Sequence, residues 1–325
     1  MSQLLFRRKI YTVKKGDTVL DTLQANGLNI PSSCKVGTCH ACKMKIVQGN
    51  VPKIAQNGLK DTQIEEGYFL SCQCKPEKDL SICLPSEIEK KYSAKVISLI
   101  KLSTDIMLLR VKLNQQMTFH AGQFINLWKD NHTHRSYSIA NIPNKANLIE
   151  MHIRYMPKGE LSSWIFFKLK EGDIVNIQGP LGDCFYHLNK HEKTKPILLA
   201  GTGTGLAPLY GILNDALKQK HKGKIYLYHG ALTDRELYFV KKIRKLIQNY
   251  DSVYYIPVAV KVSGHVTDVV EGDLDKVVLQ TADSFKDWNI YLCGNAEMVR
   301  KIQKQIFLKG ASLKSIYADA FILNA

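Results

Sequence analysis

Four cysteines near the start of the chain have a spacing that could bind metal. Cys34, Cys39 and Cys42 follow the pattern C-x4-C-x2-C within PSSCKVGTCHACKMKI, and Cys72 comes after a long intervening segment. Converging thiolates in this number can hold an iron–sulfur cluster, for which the spacing is a signature, or a zinc ion. Zinc sites usually pair their cysteines in two short knuckles, so one loop with three ligands favours the cluster. Buried free cysteines are the third alternative.

The fourth ligand has two candidates, because FLSCQCKP contains both Cys72 and Cys74. This segment resembles the L-x-C-x-x-x-P context of the fourth ligand in plant-type ferredoxins. Aligning Pro76 with that proline assigns the ligand to Cys72 and leaves Cys74 as a neighbour that does not bind iron. The resemblance implies a 2Fe–2S cluster and a β-grasp fold for residues 1–88.

A second segment, HRSYSIAN, contains the pattern R-x-Y-S, and GELSSWI downstream contains G-x-x-S. R-x-Y-S alone also suits an exposed pair of strands, but together the two patterns resemble the flavin-binding elements of the ferredoxin-NADP reductase family, which implies FAD rather than FMN. The resemblance implies that Arg135 pairs bidentately with the diphosphate, Tyr137 stacks on the isoalloxazine ring, and Ser138 hydrogen-bonds near flavin N5. It also implies that Gly159 lets the backbone approach the diphosphate and that Ser162 with a helix N-terminus supplies donors. The candidate FAD contacts are Arg135, Tyr137, Ser138, Arg154, Gly159 and Ser162.

A third segment, LLAGTGTGLAP, joins an apolar strand to a helix through a glycine-rich turn. It departs from the G-x-G-x-x-G fingerprint, and a turn without any ligand is the alternative. The turn nevertheless resembles that of the reductase family, which implies that backbone N–H groups and the helix dipole receive the diphosphate of NAD(P)H. The candidate residues for this diphosphate are Gly201, Thr202, Gly203, Thr204 and Gly205.

Two segments near the C-terminus add to the resemblance. In YLCGNAEMV, Cys293 and Gly294 match the family's C-G pair, which implies a thiol beside the nicotinamide, although Ala296 replaces a proline that often follows. The tail IYADAFI resembles that of bacterial oxygenase reductases and makes Phe321 a candidate lid over the flavin. Core packing is the alternative for both side chains. The candidates for roles in hydride transfer are Ser138, Cys293 and Phe321.

The choice between NADH and NADPH depends on the loop after the second strand of the nucleotide-binding part. A 2′-phosphate would favour clustered arginine or lysine there. HGALTDRELYF offers Arg235, but Asp234 and Glu236 flank it and would repel the extra phosphate. NADH is therefore the expected coenzyme, with NADPH as the alternative.

Three kinds of domain are needed to position these residues. The cysteine-rich residues 1–88 are expected to form a ferredoxin domain, with a polar connector at 88–95. Short strands separated by turns predict a small antiparallel flavin-binding β-barrel at 92–192, with one short helix in LSSWIFFKL. Buried strands alternating with helices predict a parallel α/β nucleotide-binding domain at 193–325, including a helix over 235–250. The whole chain is thus expected to be a multidomain protein of α+β and α/β parts.

The composition fits a globular protein of several domains, with 325 residues, 45% of them hydrophobic and 23% charged. No apolar run approaches the roughly 18 residues of a membrane helix, and the N-terminus lacks the order of a secretory signal. A cytoplasmic location is the resulting expectation, and there clustered cysteines more often bind metal than form disulfides. The net charge of +16 comes from scattered lysines without a basic helix, which does not favour nucleic-acid binding.

The order of the three domains resembles the reductase component of bacterial multicomponent oxygenases. It implies that NAD(P)H gives hydride to FAD and that the 2Fe–2S cluster passes single electrons to a partner protein, an oxygenase component. A reductase for a deoxysugar dehydratase (of the CDP-4-keto-6-deoxyglucose type) and a free flavin or ferric reductase are the enzymatic alternatives. A metal-binding regulator or scaffold is the alternative outside the enzymes. Residues 1–88 carry 12 Lys or Arg residues against 8 Asp or Glu residues, a net charge of +4, so the partner is expected to present an acidic docking surface.

Overall fold

The computed structural model describes residues 2–87, 90–188, 192–263 and 268–321. The chain forms two compact units, residues 1–89 and 90–325. Residues 88 and 89, at the start of the expected connector, lie outside the described residues. From Lys91 onward the chain is a strand. Most of the connector expected at 88–95 therefore belongs to the first sheet of the second unit.

The first unit is a mixed five-stranded sheet with two short α-helices. Its elements are β1 (Gln3–Phe6), β2 (Lys9–Thr12), α1 (Val19–Ala25), β3 (Lys43–Gln48), α2 (Asp61–Glu65), β4 (Tyr68–Leu70) and β5 (Leu80–Cys83). The strand order is β2-β1-β5-β3-β4, in which β1 and β5 run parallel and the other neighbours antiparallel. Buried Val19, Leu20 and Leu23 of α1 share one core with the sheet. This is the expected β-grasp fold.

The ends of α1 direct the chain into the cysteine-rich loop. Thr18 caps the N-terminus, since its Oγ1 accepts from the N–H of Asp21 at 3.1 Å and its own N–H donates to the Asp21 carboxylate at 3.2 Å. After Ala25, Gly27 has a φ of +78°, the left-handed conformation that commonly ends helices. Residues 27–42, all of them described, then form no helix or strand. Their backbone N–H groups are therefore not used in the regular hydrogen bonds of a helix or sheet and can donate to other acceptors.

The first half of the second unit is a six-stranded antiparallel sheet. Its elements are β6 (Lys91–Lys101), β7 (Ile106–Leu113), β8 (Phe124–Trp128), β9 (His134–Ser138), β10 (Leu148–Arg154), α3 (Glu160–Phe167) and β11 (Ile174–Leu181). The strand order is β10-β7-β6-β11-β8-β9. The N–H of Ala140, just after β9, donates to the carbonyl of Glu150 on β10 at 2.8 Å. This bond brings the two edges together, as the expected barrel requires.

The second half is a six-stranded parallel sheet with helices in its connections. Its elements are β12 (Ile197–Thr202), α4 (Leu206–Lys218), β13 (Ile225–Thr233), α5 (Val240–Ile247), β14 (Val253–Lys261), β15 (Val270–Glu271), α6 (Leu274–Val278), β16 (Asn289–Asn295), α7 (Ala296–Leu308) and β17 (Ile316–Phe321). The strand order is β15-β14-β13-β12-β16-β17. From β12 the chain adds strands β13 to β15 on one side, and it then crosses to the other side of β12 to form β16 and β17. The point between β12 and β16 is therefore a topological switch point, where open α/β sheets bind ligands.

The helix expected over 235–250 is shorter in the structure. α5 covers Val240–Ile247, and Phe239 before it has a left-handed φ of +66°. The preceding Tyr238 is buried, with its hydroxyl 2.9 Å from Nδ1 of His152 on β10. The packing of this tyrosine against the barrel overrides the helical periodicity of the segment.

The helices of the described residues are short. The longest, α4 and α7, have 13 residues each. A helix that crosses a bilayer needs about 20 apolar residues. Within the described ranges, no helix has both the length and the apolar character to do so.

Candidate functional site

The cysteine loop of the first unit directs backbone N–H groups at sulfur. The N–H groups of Thr38 and Cys39 each donate to Sγ of Cys34 at 3.3 Å, and the N–H of Cys34 donates to Sγ of Cys39 at 3.5 Å. Backbone donors, that of Cys39 first and that of Val36 next, lower the pKa of the Cys34 thiol to about 6. Cys34 is therefore mostly thiolate at neutral pH, and the thiolate is the form that binds iron.

Cys42 and Cys72 form a second, buried pair. Burial raises the pKa of the Cys42 thiol, and the neighbouring Cys72 adds to that rise through its side chain. Ser71 donates to the carbonyl of Cys42 twice, through its N–H at 3.1 Å and its Oγ at 2.9 Å, which ties the two cysteine backbones together. Gln73 links the two pairs, because its Nε2 donates to the carbonyl of Lys35 at 3.0 Å and lies 3.6 Å from Sγ of Cys72.

The four predicted ligands fit a 2Fe–2S cluster. Among the described residues, no group of three or more His, Cys, Asp or Glu side chains surrounds the position of a single metal ion. The cysteines instead form two pairs, and a two-iron cluster takes two thiolates on each iron. The N–H groups directed at sulfur would counter the negative charge of such a cluster. Cys74 differs, because it is fully buried and burial raises its pKa to about 12.

The second unit has a cleft of about 1520 Å³ between the barrel and the carboxyl ends of the parallel strands. Ten of the residues expected to bind FAD or NAD(P)H line it: Arg135, Tyr137, Ser138, Arg154, Gly159, Ser162, Thr202, Gly203, Thr204 and Phe321. Gly201, Gly205, Cys293 and Gly294 are not among its lining residues. They belong to the ends of β12 and β16 and to the turn after β12, at the switch point of the sheet.

The glycine turn and the end of β16 are in backbone contact. A Cβ on Gly205 would lie 2.4 Å from the carbonyl oxygen of Cys293, and one on Gly201 would lie 2.7 Å from the same atom. Gly294 has a φ of +114°, and a Cβ there would lie 2.8 Å from the carbonyl oxygen of Thr202. These glycines therefore allow the turn and the end of β16 to pack closely on the side away from the cleft. The residues of the turn that line the cleft are Thr202, Gly203 and Thr204.

Arg154 extends from β10 of the barrel to this glycine turn. A Cβ on Gly203, whose φ is +55°, would lie 3.2 Å from the Arg154 guanidinium. Nε of Arg154 lies 3.1 Å from Oδ2 of Asp105, an ion pair without hydrogen-bond alignment. The pair is about a third exposed, so it orients the arginine more than it stabilises the fold. A cation beside the N-terminus of α4 suits a diphosphate.

The residues expected to hold the flavin lie on β9 and at the start of α3. Oγ of Ser162 accepts from the N–H of Met156 at 3.1 Å, and a Cβ on Gly159 would lie 2.7 Å from this oxygen. A glycine is therefore required at this tight turn. Arg135 is exposed and uses one of its five donors on the carbonyl of the preceding residue. Burial raises the pKa of Tyr137, so its phenol stays neutral and offers a flat ring to the cleft.

Ser138 has a partner that sequence reasoning missed. Its Oγ donates to Oδ2 of Asp319 at 3.0 Å, and both residues line the cleft. Burial raises the pKa of Asp319 to about 6, although the hydrogen bond from Ser138 acts in the opposite direction. A signal was present in IYADAFI, because alternate residues of a strand share one face and Asp319 is two positions before Phe321.

The Cys293 side chain lies away from the cleft. It is fully buried, and its Sγ lies 3.9 Å from Sγ of Cys184, in the segment after β11. Burial, and next the neighbouring Cys184, raises the pKa of Cys293 far above that of a free thiol. The backbone of Cys293 supports the glycine turn, and its side chain is not among the groups that line the cleft.

The three charged residues of the loop after β13, Asp234, Arg235 and Glu236, differ in whether they line the cleft. Glu236 lines the cleft, and its Oε1 accepts from Oγ1 of Thr233 at 3.0 Å. Asp234 does not line the cleft, because its carboxylate accepts from the N–H and Oγ of Ser263 at 3.1 and 2.9 Å. Arg235 is exposed and is also absent from the lining. Of the three charged residues in this loop, only Glu236 lines the cleft.

Three family models match successive parts of the chain. They describe a 2Fe-2S iron-sulfur cluster binding domain at residues 7–77, an oxidoreductase FAD-binding domain at 93–186 and an oxidoreductase NAD-binding domain at 199–304. These matches confirm the cofactors expected from the motifs, a 2Fe–2S cluster, FAD and NAD(P)H. They also confirm the expected fold class.

Known proteins are similar to the chain over nearly its whole length. The ferredoxin–NAD(P)+ reductase component of a naphthalene 1,2-dioxygenase system from Pseudomonas putida is 32% identical over 96% of each chain. The protein RfbI from Salmonella typhimurium is 31% identical over 96% of this chain and 93% of its own. Among solved structures, the Amycolatopsis cytochrome P450 reductase GcoB aligns with a TM-score of 0.68 and 26% identity over 99% of both chains. A ferredoxin reductase in carbazole 1,9a-dioxygenase shares the fold, with a TM-score of 0.66, 23% identity and coverage of 99% of this chain and 98% of its own.

Proposed function

Because the chain belongs to the ferredoxin-NADP reductase family, in the branch with an N-terminal 2Fe–2S ferredoxin domain, we propose that it is the reductase component of a multicomponent oxygenase. The resemblance inferred from the motifs is confirmed by the family and its relatives. The protein is an NAD(P)H-dependent oxidoreductase that passes electrons to a partner protein, so the non-enzymatic scaffold is set aside. The observation that carries the proposal is the similarity, over 96% of both chains, to a reductase component of a dioxygenase system.

The residues of the cleft position a donor and an acceptor of hydride. FAD and the 2Fe–2S cluster, when bound, convert a two-electron donor into single electrons. In this proposal Arg135 and the turn at Gly159 hold the FAD diphosphate, and Tyr137 packs on the flavin ring. Ser138 holds its hydroxyl proton toward Oδ2 of Asp319, which orients Oγ at the wall of the cleft.

The glycine turn after β12 is proposed to receive the dinucleotide. Thr202, Gly203 and Thr204 face the cleft at the N-terminus of α4, where backbone N–H groups and the helix dipole favour a diphosphate. Arg154 adds a cation from the barrel side. Phe321, at the end of β17, lines the same cleft and is proposed to cover the flavin until the nicotinamide replaces it.

NADH is the proposed coenzyme, because Glu236 lines the cleft near the end of β13. Asp273 and Asp275 also line the cleft, beside the start of α6, but they are paired with Lys276 and Lys301 at 2.7 Å. A carboxylate can accept from the ribose 2′-hydroxyl of NADH, whereas the 2′-phosphate of NADPH would meet like charge. Arg235, the cation that could offset this, does not line the cleft.

Glu236→Gln tests this coenzyme assignment. The variant is expected to lose about tenfold of the preference for NADH over NADPH in kcat/KM, because one repulsive charge is removed. Asp234→Asn is the matched control, since Asp234 is turned toward Ser263. Equal effects of the two substitutions would contradict the role of Glu236.

The acceptor is tested by the rate at which it reoxidises the reduced cluster. Purified reductase is reduced with NADH without oxygen and mixed with an oxygenase component or with a deoxysugar dehydratase. Rapid reoxidation by the oxygenase component supports the proposal, and reoxidation by the dehydratase alone supports the alternative acceptor. Turnover with free flavin or ferric iron only would support the third alternative. NAD(P)H as donor and reduced thiols as ligands favour the cytoplasm as the location of this reaction.

A further inference from the structure

The segment around the cysteine loop carries charge of a single sign. From Thr22 to Lys60 the chain contains five lysines and no aspartate or glutamate. Asp21 and Asp61 lie immediately outside the two ends of this acid-free segment. Three of the four cluster ligands belong to it. The positive charge of the first unit is therefore concentrated in the chain that surrounds the cluster.

Two of these lysines, Lys35 and Lys53, differ from Lys43 and Lys45 in their surroundings. Lys45 is paired with Glu66 at 2.8 Å, and Lys43 lies over the ring of Tyr68 at 4.9 Å. Lys35 and Lys53 are exposed, and neither forms an ion pair within the described residues. Nζ of Lys35 donates to the neutral side-chain oxygen of Gln24, at 3.2 Å. Such a partner fixes the ammonium group without neutralising it.

Exposed aliphatic side chains accompany these lysines. Val36 is 70% exposed, in the loop between Cys34 and Cys39. Ile54 is 56% exposed and directly follows Lys53. Farther along the same segment, Gly58 approaches the loop, since a Cβ on Gly58 would lie 3.3 Å from Nε2 of His40. Apolar residues with a charged rim are the usual composition of a protein-docking patch.

The more accessible cysteines belong to the loop that carries Lys35 and Val36. Cys39 is exposed and Cys34 is half-buried, whereas Cys42 and Cys72 are buried. An electron that leaves the cluster through Cys34 or Cys39 would therefore leave beside Val36, which lies between them in the chain. We infer that Lys35, Val36, Lys53 and Ile54, named here the exit surface, dock an electron-acceptor protein with an acidic face. This inference rests on the proposed function and specifies the chemistry of its partner.

The inference is tested by binding measurements on the full chain in its oxidised state. The acidic probe is the soluble domain of cytochrome b5, and the basic probe is mitochondrial cytochrome c. Calorimetric titration is expected to give a Kd for the acidic probe that rises steeply with salt, because exposed charges are screened. The basic probe is expected not to bind. Tighter binding of the basic probe, or a Kd for the acidic probe that is independent of salt, would overturn the inference.

A pair of double variants separates the exit surface from the net charge of the protein. Lys35→Glu with Lys53→Glu is expected to weaken binding of the acidic probe about tenfold at low salt. Lys9→Glu with Lys14→Glu changes the net charge equally, at exposed lysines on and just after β2, and is expected to weaken binding less than about twofold. Equal losses in the two variants would overturn the assignment to this surface.

Val36→Ala tests the apolar part of the exit surface. It is expected to weaken binding of the acidic probe about threefold without changing the salt dependence, since it removes buried area and no charge. An unchanged Kd, or binding to vesicles of anionic lipid in preference to the acidic protein, would contradict a protein-docking patch. Reduction of ferricyanide by NADH with the unaltered enzyme tests the proposed function separately, because a small acceptor does not need the exit surface.

Discussion

The cysteine loop of the first unit and the switch point of the second unit place cysteines in opposite environments. Cys34 is surrounded by N–H donors that lower its pKa to about 6. Cys293 is fully buried against Cys184, and burial raises its pKa far above the ordinary value. Both residues belong to segments matched by the cofactor-binding family models. Burial decides much of the difference, because Cys293 is fully buried in a strand, whereas Cys34 is half-buried in a loop whose N–H groups reach its sulfur.

The comparison teaches that a cysteine in a cofactor-binding motif can serve through its thiolate or through its backbone. In the first unit the cysteine sulfurs are the proposed ligands of the cluster. In the second unit the carbonyl oxygen of Cys293 packs behind the glycine turn, and only glycine fits in front of it. Each of the following predictions changes one side of this contrast.

Cys72→Ser is expected to have the largest effect, the complete loss of the 2Fe–2S cluster. An alcohol does not replace a thiolate as an iron ligand of comparable strength. FAD binding and NADH-to-ferricyanide activity are expected to persist, because the cleft lies within the second unit. The visible spectrum, iron content and ferricyanide assay measure these outcomes.

Cys74→Ser is the matched control for that substitution. Cys74 is fully buried in the same segment, and its thiol stays protonated because burial raises its pKa to about 12. The Cys74→Ser variant should therefore retain the cluster at near-normal iron content. Loss of the cluster in this variant, together with its retention in Cys72→Ser, would reverse the ligand assignment.

Thiol alkylation is expected to separate the two environments by at least about a hundredfold in rate. In protein prepared without iron, Cys34 is mostly ionised at pH 7 and reacts as a thiolate, whereas Cys74 and Cys293 are protonated and buried. Iodoacetamide labelling followed by peptide mass spectrometry measures the rates residue by residue. Comparable labelling rates of Cys34 and Cys293 in the folded protein would contradict the proposed difference in their ionisation and burial.

Ser138→Ala is expected to slow flavin reduction by NADH about tenfold, the loss that corresponds to one oriented hydrogen bond of about 1.4 kcal/mol. The hydroxyl that Asp319 orients at the cleft wall is lost in this variant. Anaerobic stopped-flow mixing with NADH measures the step directly. A rate within twofold of the unaltered enzyme would show that this hydroxyl does not contribute.

Asp319→Asn is expected to remove a pH dependence near 6. The folded-state pKa of Asp319 is raised to about 6 from an ordinary value of 3.8, so protonation favours the folded protein. The stability linked to this proton is fully present below about pH 4 and is lost as the pH rises through about 6. Thermal unfolding of the unaltered protein should show this trend, and the variant should lack it. The same inflection in both proteins would assign it to another group.

Gly203→Ala is expected to have the smallest effect, a rise of about fivefold in KM for NADH with kcat little changed. The added Cβ would lie 3.2 Å from the Arg154 guanidinium, and alanine at a φ of +55° costs roughly 1–2 kcal/mol. Steady-state kinetics measures the split between the two constants. A large fall in kcat with unchanged KM would instead implicate the chemical step.

Much of the fold could be predicted because local pattern and packing agree. The alternation of short strands matches β6 to β11, and the apolar run followed by glycines matches β12, its turn and α4. The helix over 235–250 was wrong at its start, because Tyr238 pairs with His152 across the interface between barrel and sheet. Sequence periodicity does not report such long-range contacts.

The candidate functional residues also divide into those that local patterns reveal and those that long-range contacts bring together. Ligand spacing led to the four cysteines and short motifs led to residues that line the cleft, since the residues within each motif are close in sequence. The bond from Ser138 to Asp319 joins residues 181 positions apart, and the contact of Cys184 with Cys293 spans 109 positions. One sequence alone contains no record of these pairs, so the structure was needed to find them.

The central claim is that electrons pass from NADH through FAD to the 2Fe–2S cluster. Anaerobic mixing with NADH, followed by visible absorption and by electron paramagnetic resonance of frozen samples, tests it most directly. The unaltered protein is expected to show reduction of the flavin and the signal of a reduced 2Fe–2S cluster, and the Cys72→Ser variant only the former. Flavin reduction that never reaches the cluster, or zinc in place of iron at the four cysteines, would contradict the claim.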